Sequence, residues 1–420
     1  MRRTGTNERT VVRPVIKAEL SEKNSKRRLI VVIVLILLAT SAFTYGIVSY
    51  LGKESGWTTI VAKSASERNC GDEFVFQYCL GASGASATAE GKKIQLLYTD
   101  ATVKAYQLFN TDETFHDVHN MAYLNQHPNE EVEVDDVLYQ AFYLLEKSGN
   151  RNLYLGPVYE VYDGLFSCTE DYMTADYDPQ QNDEVASFVE QVSAFAGNSD
   201  AIQIELLGND KVKLKVSDEY LDFAKENEVT DYIDFYWMKN AFIIDYLADV
   251  MIQNNYTLGS ISSYNGFVRN LDESENSYSY NLYDREENTI YGAGVMDYTG
   301  AKSIVYLRNY RMTEVDDQYF YEFENGEIRN AYLDTADGKS KTSLNNLVCY
   351  ATDQTCTQIL LHMMPVYISD SFDASTLLAW VNEGIYSIYC ADHTIFYNED
   401  GLKIHDLYEK DGVTYTTLKF

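Results

Sequence analysis

Three kinds of hydrophobic pattern succeed one another along the chain. The first has no period. Leu29 to Leu51 runs 23 residues without a charge, and as a helix it would span about 34 Å, enough to cross a bilayer with some tilt. The second has helical spacing. It is clearest from Val132 to Ser148, where Val137, Leu138, Ala141, Phe142 and Leu145 share a face, and from Phe235 to Asn254. Asn152–Phe166 (with Gly156-Pro157), Glu184–Ala196, Thr352–Met364 and Thr376–Ile388 read the same way, as do Ala101–Phe109 and Phe115–Leu124. The third alternates. Lys93–Tyr98 reads as a strand, and Ala201–Val216 as two strands about Gly208-Asn209-Asp210. Leu258–Val268 is strand-like with a turn at Asn265-Gly266, and Tyr278–Tyr332 reads as Tyr-rich strands. Antiparallel hairpins mixed with helices predict an α+β fold rather than a parallel doubly wound one.

Charge orients the apolar run. Residues 1–28 carry nine Lys/Arg and three Glu, while the remainder carries 24 basic and 61 acidic residues. The basic excess lies N-terminal to the run, and Tyr45, Tyr50 and Trp57 lie near its other end. This predicts a cytoplasmic tail (1–28), a single-pass transmembrane helix (29–51) and an extracytoplasmic bulk at the cell membrane. A cleaved signal peptide fits less well, because the run is long and no small-x-small site precedes a polar start. Residues 52–93, ending in GASGASATAEGKK, read as a linker, leaving 94–420 as the globular domain. So acidic a surface repels nucleic acid and anionic lipid. Six cysteines, none in C-x-x-C spacing, give no thiolate zinc site. Cys70–Cys79 is the most plausible local bridge.

Several weak signals could carry chemistry. Thr352 or Asp353 is a natural helix cap, and Asp353 and Thr357 are four apart, so on a helix their oxygens would converge on a hard cation such as Mg²⁺. A cap beside a solvent-facing Thr explains the pair equally well. Asp334-x-x-x-Gly338 is a turn, or a loop whose amides approach a phosphate. Lys239 is a surface lysine, or a cation beside a diphosphate at a helix start. Asn265-Gly266 is first a hairpin signal. No Walker loop, G-x-S-x-G or H-E-x-x-H is present.

In order, Leu124-Asn125, Gly156-Pro157-Val158, Lys239, Asn265-Gly266, Asp334–Gly338 and Asp353–Thr357 resemble the ApbE family, the FAD:protein FMN transferases, over roughly residues 94 to 410. DFYWMKNAFIID resembles the family's G-x-I-A-K-G-Y helix start, AYLDTADG its H-I-I-D-P-x-T-G, and TDQTCT its A-D-A-L-S-T. The resemblance implies a Mg²⁺ site from the Met238 carbonyl, Asp353 and Thr357. It implies FAD contacts from Asn125, Lys239, Asn265, Gly266 and Gly338, and a catalytic-site Asp334. It further implies FMN transfer to a Ser or Thr of an extracytoplasmic partner protein. Ala331 stands where the family has its histidine. Loss of a positioned acid/base typically removes ~10²–10⁴ in rate, so the alternative is an inactive membrane-anchored binding or scaffolding module of the same fold.

Overall fold

The computed structural model of the protein describes residues 55–63, 68–82, 84, 86–410 and 412–420. The basic tail and the uncharged run 29–51 lie outside the described residues. No helix among the described residues is long and apolar enough to cross a membrane.

A nine-stranded sheet organises the chain from Ser55 onward. Its strand order is Gly56–Ile60, Phe74–Leu80, Gly259–Ser263, Phe267–Asn270, Lys302–Arg308, Asn346–Ala351, Tyr386–Ala391, Thr394–Tyr397 and Thr416–Lys419. All neighbours are antiparallel except the last pair. The central strands are buried on both faces. Along Lys302–Arg308, Val305 and Leu307 join the large core, which includes residues of the helices Ala87–Leu108, Lys239–Gln253 and Cys356–Tyr367. Ile304 and Tyr306 join a second core with Leu282, Ala293 and Met296 of the three-stranded sheet Ser277–Glu286, Thr289–Thr299 and Lys403–His405. Strict alternation of side chains on a strand divides one run of residues between two cores. A further antiparallel sheet, Glu131–Glu133, Lys211–Val216 and Ile202–Gly208, lies among the middle helices. The fold is therefore mixed α+β.

Several expectations are overturned. Lys93–Tyr98 is not a strand but part of the helix Ala87–Leu108, where Ile94, Tyr98, Ala101, Ala105 and Leu108 are buried at three- and four-residue spacing. The segment read as a linker also supplies two strands, because FVFQYCL buries Phe74, Phe76, Tyr78 and Leu80 on one face and pairs with both neighbours. The six cysteines are unbridged, Cys70 and Cys79 included.

Candidate functional site

Asp353 and Thr357 do not lie on one helix face. The helix starts at Cys356, and its cap is Thr355, not Thr352 or Asp353. Thr355 and Gln358 form a reciprocal capping box, with Gln358 N–H donating to Thr355 Oγ1 (3.3 Å) and Thr355 N–H to Gln358 Oε1 (2.9 Å). Asp353 therefore sits before the helix, exposed, while Thr357 is buried inside its first turn. The remaining amides of that turn are also taken. Cys356 N–H donates to Asp245 Oδ1 (3.0 Å) and Thr357 N–H to Asp245 Oδ2 (2.8 Å), and Arg269 Nη1 lies 2.5 Å from the same carboxylate. The helix N-terminus, a natural anion site, is filled by the chain's own Asp245 and keeps no free first-turn amide for a phosphate. Among the described residues no group of three or more His, Cys, Asp or Glu is placed to hold a metal.

Lys239 and Asn265 do meet at one end of the Lys239–Gln253 helix. Asn265 Nδ2 donates to the Trp237 carbonyl (3.3 Å), and Asn240 Nδ2 donates to Asn265 Oδ1 (3.3 Å). The Lys239 ammonium, however, pairs with Glu73 at 3.2 Å. Met238 is fully buried in the turn that precedes the helix. Gly266 serves backbone packing: its φ is +100°, its carbonyl accepts from Tyr306 N–H (2.8 Å), and a Cβ there would lie 2.2 Å from the Tyr306 carbonyl oxygen.

Asp334 and Gly338 form a tight turn of their own. Gly338 N–H donates to the Asp334 carbonyl (2.7 Å), Ala336 N–H to Asp334 Oδ1 (2.9 Å), and Lys341 Nζ to Asp334 Oδ2 (3.0 Å). Gly338 has φ +66° and faces Val189 and Ser193, which a Cβ would meet at 2.4 and 2.6 Å. Packing against the helix Asp183–Ala196, which carries both residues, leaves no room for a side chain at Gly338. Asn125 is a buried clasp: its Nδ2 donates to the Ile233 carbonyl (3.0 Å) and its Oδ1 accepts from Ile233 N–H (3.1 Å).

That clasp holds a loop that carries two unusually weak carboxylic acids. Burial pushes the Asp231 carboxyl up to about 6 and the Asp234 carboxyl up to about 7, from an ordinary 3.8. Both therefore bind protons more tightly in the folded chain than in the unfolded one. Their contribution to stability should be greatest below the unfolded value of 3.8 and fall as pH rises from about 4 to about 7, above which both carboxyls are ionised in either state, by about 1–2 kcal/mol after solvent screening. Melting curves across that range check it: Asp234→Asn should flatten the decline, and an unchanged slope would refute the assignment.

Ala331 and Asn265 meet at a small cavity that they line with Trp237, Arg308, Asp316, Tyr319, Phe320 and Tyr332. Its volume is about 10 Å³, room for about one water. Aromatic rings fill the rest. The Trp237 and Tyr332 ring centroids are 4.7 Å apart, edge to face. Arg308 Nη2 meets Asp316 Oδ1 at 2.5 Å inside this wall, and both side chains are almost completely buried. Asp316 is itself fixed by the Met312 and Thr313 amides at 2.8 and 2.9 Å. A pocket for a cofactor-sized ligand occupies about 300–1,000 Å³, so the residues present do not fit an isoalloxazine here. At Asp353 and Thr357 the shared helix turn that would bring a carboxylate over a hydroxyl is absent, because the helix starts at Cys356.

A search of solved structures finds the ApbE protein of Thermotoga maritima, with a TM-score of 0.54 at 12% identity, covering 84% of this chain and 97% of that one. The chain has an ApbE-like fold. Also found are a mutant of the flavin transferase ApbE from Vibrio cholerae (TM-score 0.47, 10% identity, 79% of this chain and 92% of that one) and the flavinyl transferase ApbE of Pseudomonas stutzeri in its apo form (0.47, 11%, 87% and 94%). No protein-family model matches the chain. No curated protein matches it either.

Asp245 and Asp316 escaped the sequence reading, and so did the pairing of Arg308 with Asp316. The signal for Asp245 was a carboxylate inside the apolar run AFIIDYLADV, where a charge is retained only with partners. Arg308 closes a strand of otherwise apolar character in the same way.

Proposed function

We propose that this chain is a catalytically inactive binding or scaffolding module on a flavin-transferase fold, anchored in the cell membrane by residues 29–51 with its bulk outside. The carrying observation is the 10 Å³ cavity beside Ala331, walled by Trp237, Tyr319, Phe320, Tyr332 and the Arg308–Asp316 pair. Two further features support the reading. Ala331 offers no proton to move, and Asp245 already occupies the helix terminus beside Thr357. The same fold could serve an extracytoplasmic protein partner through its surface without any transfer.

The test is direct. The purified full-length chain is incubated with FAD, Mg²⁺ and a Ser/Thr-containing acceptor peptide, and covalent flavin fluorescence is read on a denaturing gel. No labelled acceptor is expected, and Ala331→His should not restore labelling because the cavity cannot take an imidazole beside its aromatic wall. Labelling by the unaltered chain that Asp353→Ala abolishes would establish a Mg²⁺-dependent FMN transferase instead.

A further inference from the structure

We propose that a double groove at the start of the helix Asp136–Ser148 is a docking site for a lysine-rich segment of a partner protein. This deepens the binding-module reading above by naming the surface and the partner's chemistry. Two cavities, of about 590 and 430 Å³, adjoin there, because Lys104 and Asp135 line both. Asp117 and Glu133 line the first, and Asp136, Asp245 and Asp249 the second. Apolar surface lies between these carboxylates, from Val118 and Val134 in the first cavity and from Val137, Leu144 and Val250 in the second. A lysine suits such a lining, because its methylenes can rest on apolar surface while the ammonium reaches a carboxylate.

One ammonium already sits in the groove. Lys104 Nζ lies 2.8 Å from Asp135 Oδ2 and 5.7 Å from the centre of the Tyr246 ring, so a carboxylate and an aromatic face hold it together. Asp135 is fixed for this task, since its Oδ1 caps the helix by accepting from Val137 N–H (3.0 Å). The other carboxylates exceed the cations available to them. Asp245 is spent on Arg269, and Asp117 meets His116 at 2.8 Å. Glu133, Asp136 and Asp249 form no ion pair among the described residues. They do not gather around one point either, because no group of three or more His, Cys, Asp or Glu there is placed to hold a metal. Spaced carboxylates suit a ligand with several spaced cations, not one metal ion. Thr357 points to a ligand independently. It lines the second cavity, is only 1% exposed, and its hydroxyl has no hydrogen-bond partner among the described residues. An entering ammonium, with three N–H donors, would satisfy it.

The full-length chain in neutral detergent is titrated with fluorescein-labelled octalysine, and anisotropy is read. Saturable one-to-one binding is expected. Glu133→Gln with Asp249→Asn, one neutralisation in each cavity, should weaken it by about tenfold or more. Asp222→Asn with Glu226→Gln makes the same charge change on exposed positions of the helix Asp218–Glu226, and should alter binding by less than about twofold. Lys104→Met, which empties the ammonium seat, should tighten binding. No saturable binding, equal weakening by the two double variants, or weaker binding by Lys104→Met overturns the docking site. Free spermine that binds as tightly as octalysine overturns it too, in favour of a small-polyamine site. All of these leave the binding-module reading standing. FMN labelling of an acceptor by the same preparation would overturn that reading whatever the peptide does.

Discussion

Replacing Asp316 by alanine is expected to cost about 3–5 kcal/mol of stability, the range for leaving one member of a buried ion pair without the other. Arg308 would then keep a guanidinium in a wall where its side chain is only 5% exposed. The Met312 and Thr313 amides would lose their acceptor at the same moment, so the segment over the cavity would lose its internal tie. Denaturant unfolding of the two proteins checks the value, and a loss below about 1 kcal/mol would show that the pair is solvated in practice. The double variant Arg308→Met, Asp316→Leu should recover most of the loss, because an apolar pair of similar volume avoids both desolvation costs. That recovery would separate the role of the pair as wall filling from any need for its charge.

Gly266→Ala is expected to cost about 3 kcal/mol or more, from two sources that act together. The φ of +100° is one that side chains rarely adopt, and the new methyl would stand 2.2 Å from the Tyr306 carbonyl oxygen. The backbone cannot retreat freely, since the Gly266 carbonyl holds Tyr306 N–H at 2.8 Å. Gly300→Ala provides the control. Gly300 has φ +72° with open space around its Cβ position, so it should show only the backbone cost of about 1 kcal/mol. Equal losses in the two variants would mean that the approach to Tyr306 carries no energy. The resemblance placed Gly266 among cofactor contacts. The geometry gives it a packing duty on the central strand.

What the sequence made legible follows from how local the deciding forces are. The Lys239–Gln253 helix, the Ile202–Gly208 and Lys211–Val216 hairpin and the Asp136–Ser148 helix were readable, since each carries its own period over a dozen residues or shows a turn between two alternating runs. Lys93–Tyr98 misled because Ile94, Leu96 and Tyr98 alternate over six residues. The longer stripe through Ala101, Ala105 and Leu108 shows the helix only when the window is widened. Phe74–Leu80 alternates cleanly but lies before a Gly/Ala/Ser run that drew the whole segment toward a linker.

The site was legible in its order and not in its shape. Asn125, Lys239, Asn265, Asp334, Asp353 and Thr357 follow one another in the order on which the resemblance rests, and the likeness to the Thermotoga maritima protein concerns the fold alone. Whether those positions enclose a space depends on partners far away in sequence. Asp245 reaches Thr357 from 112 residues upstream. Glu73 reaches Lys239 from 166 residues upstream. The Trp237 ring meets Tyr332. No period or spacing rule reports such meetings, because they are set by how the helices and the central sheet pack.

The most direct test of a filled cleft is a titration of the full-length chain with FAD in the presence of Mg²⁺, followed by heat and by melting temperature. With about 10 Å³ beside Ala331 and no group of three or more His, Cys, Asp or Glu placed to hold a metal among the described residues, the result predicted is no saturable heat and no shift in melting. Saturable, Mg²⁺-dependent binding that raises the melting temperature, and that Asp353→Ala removes, would contradict it.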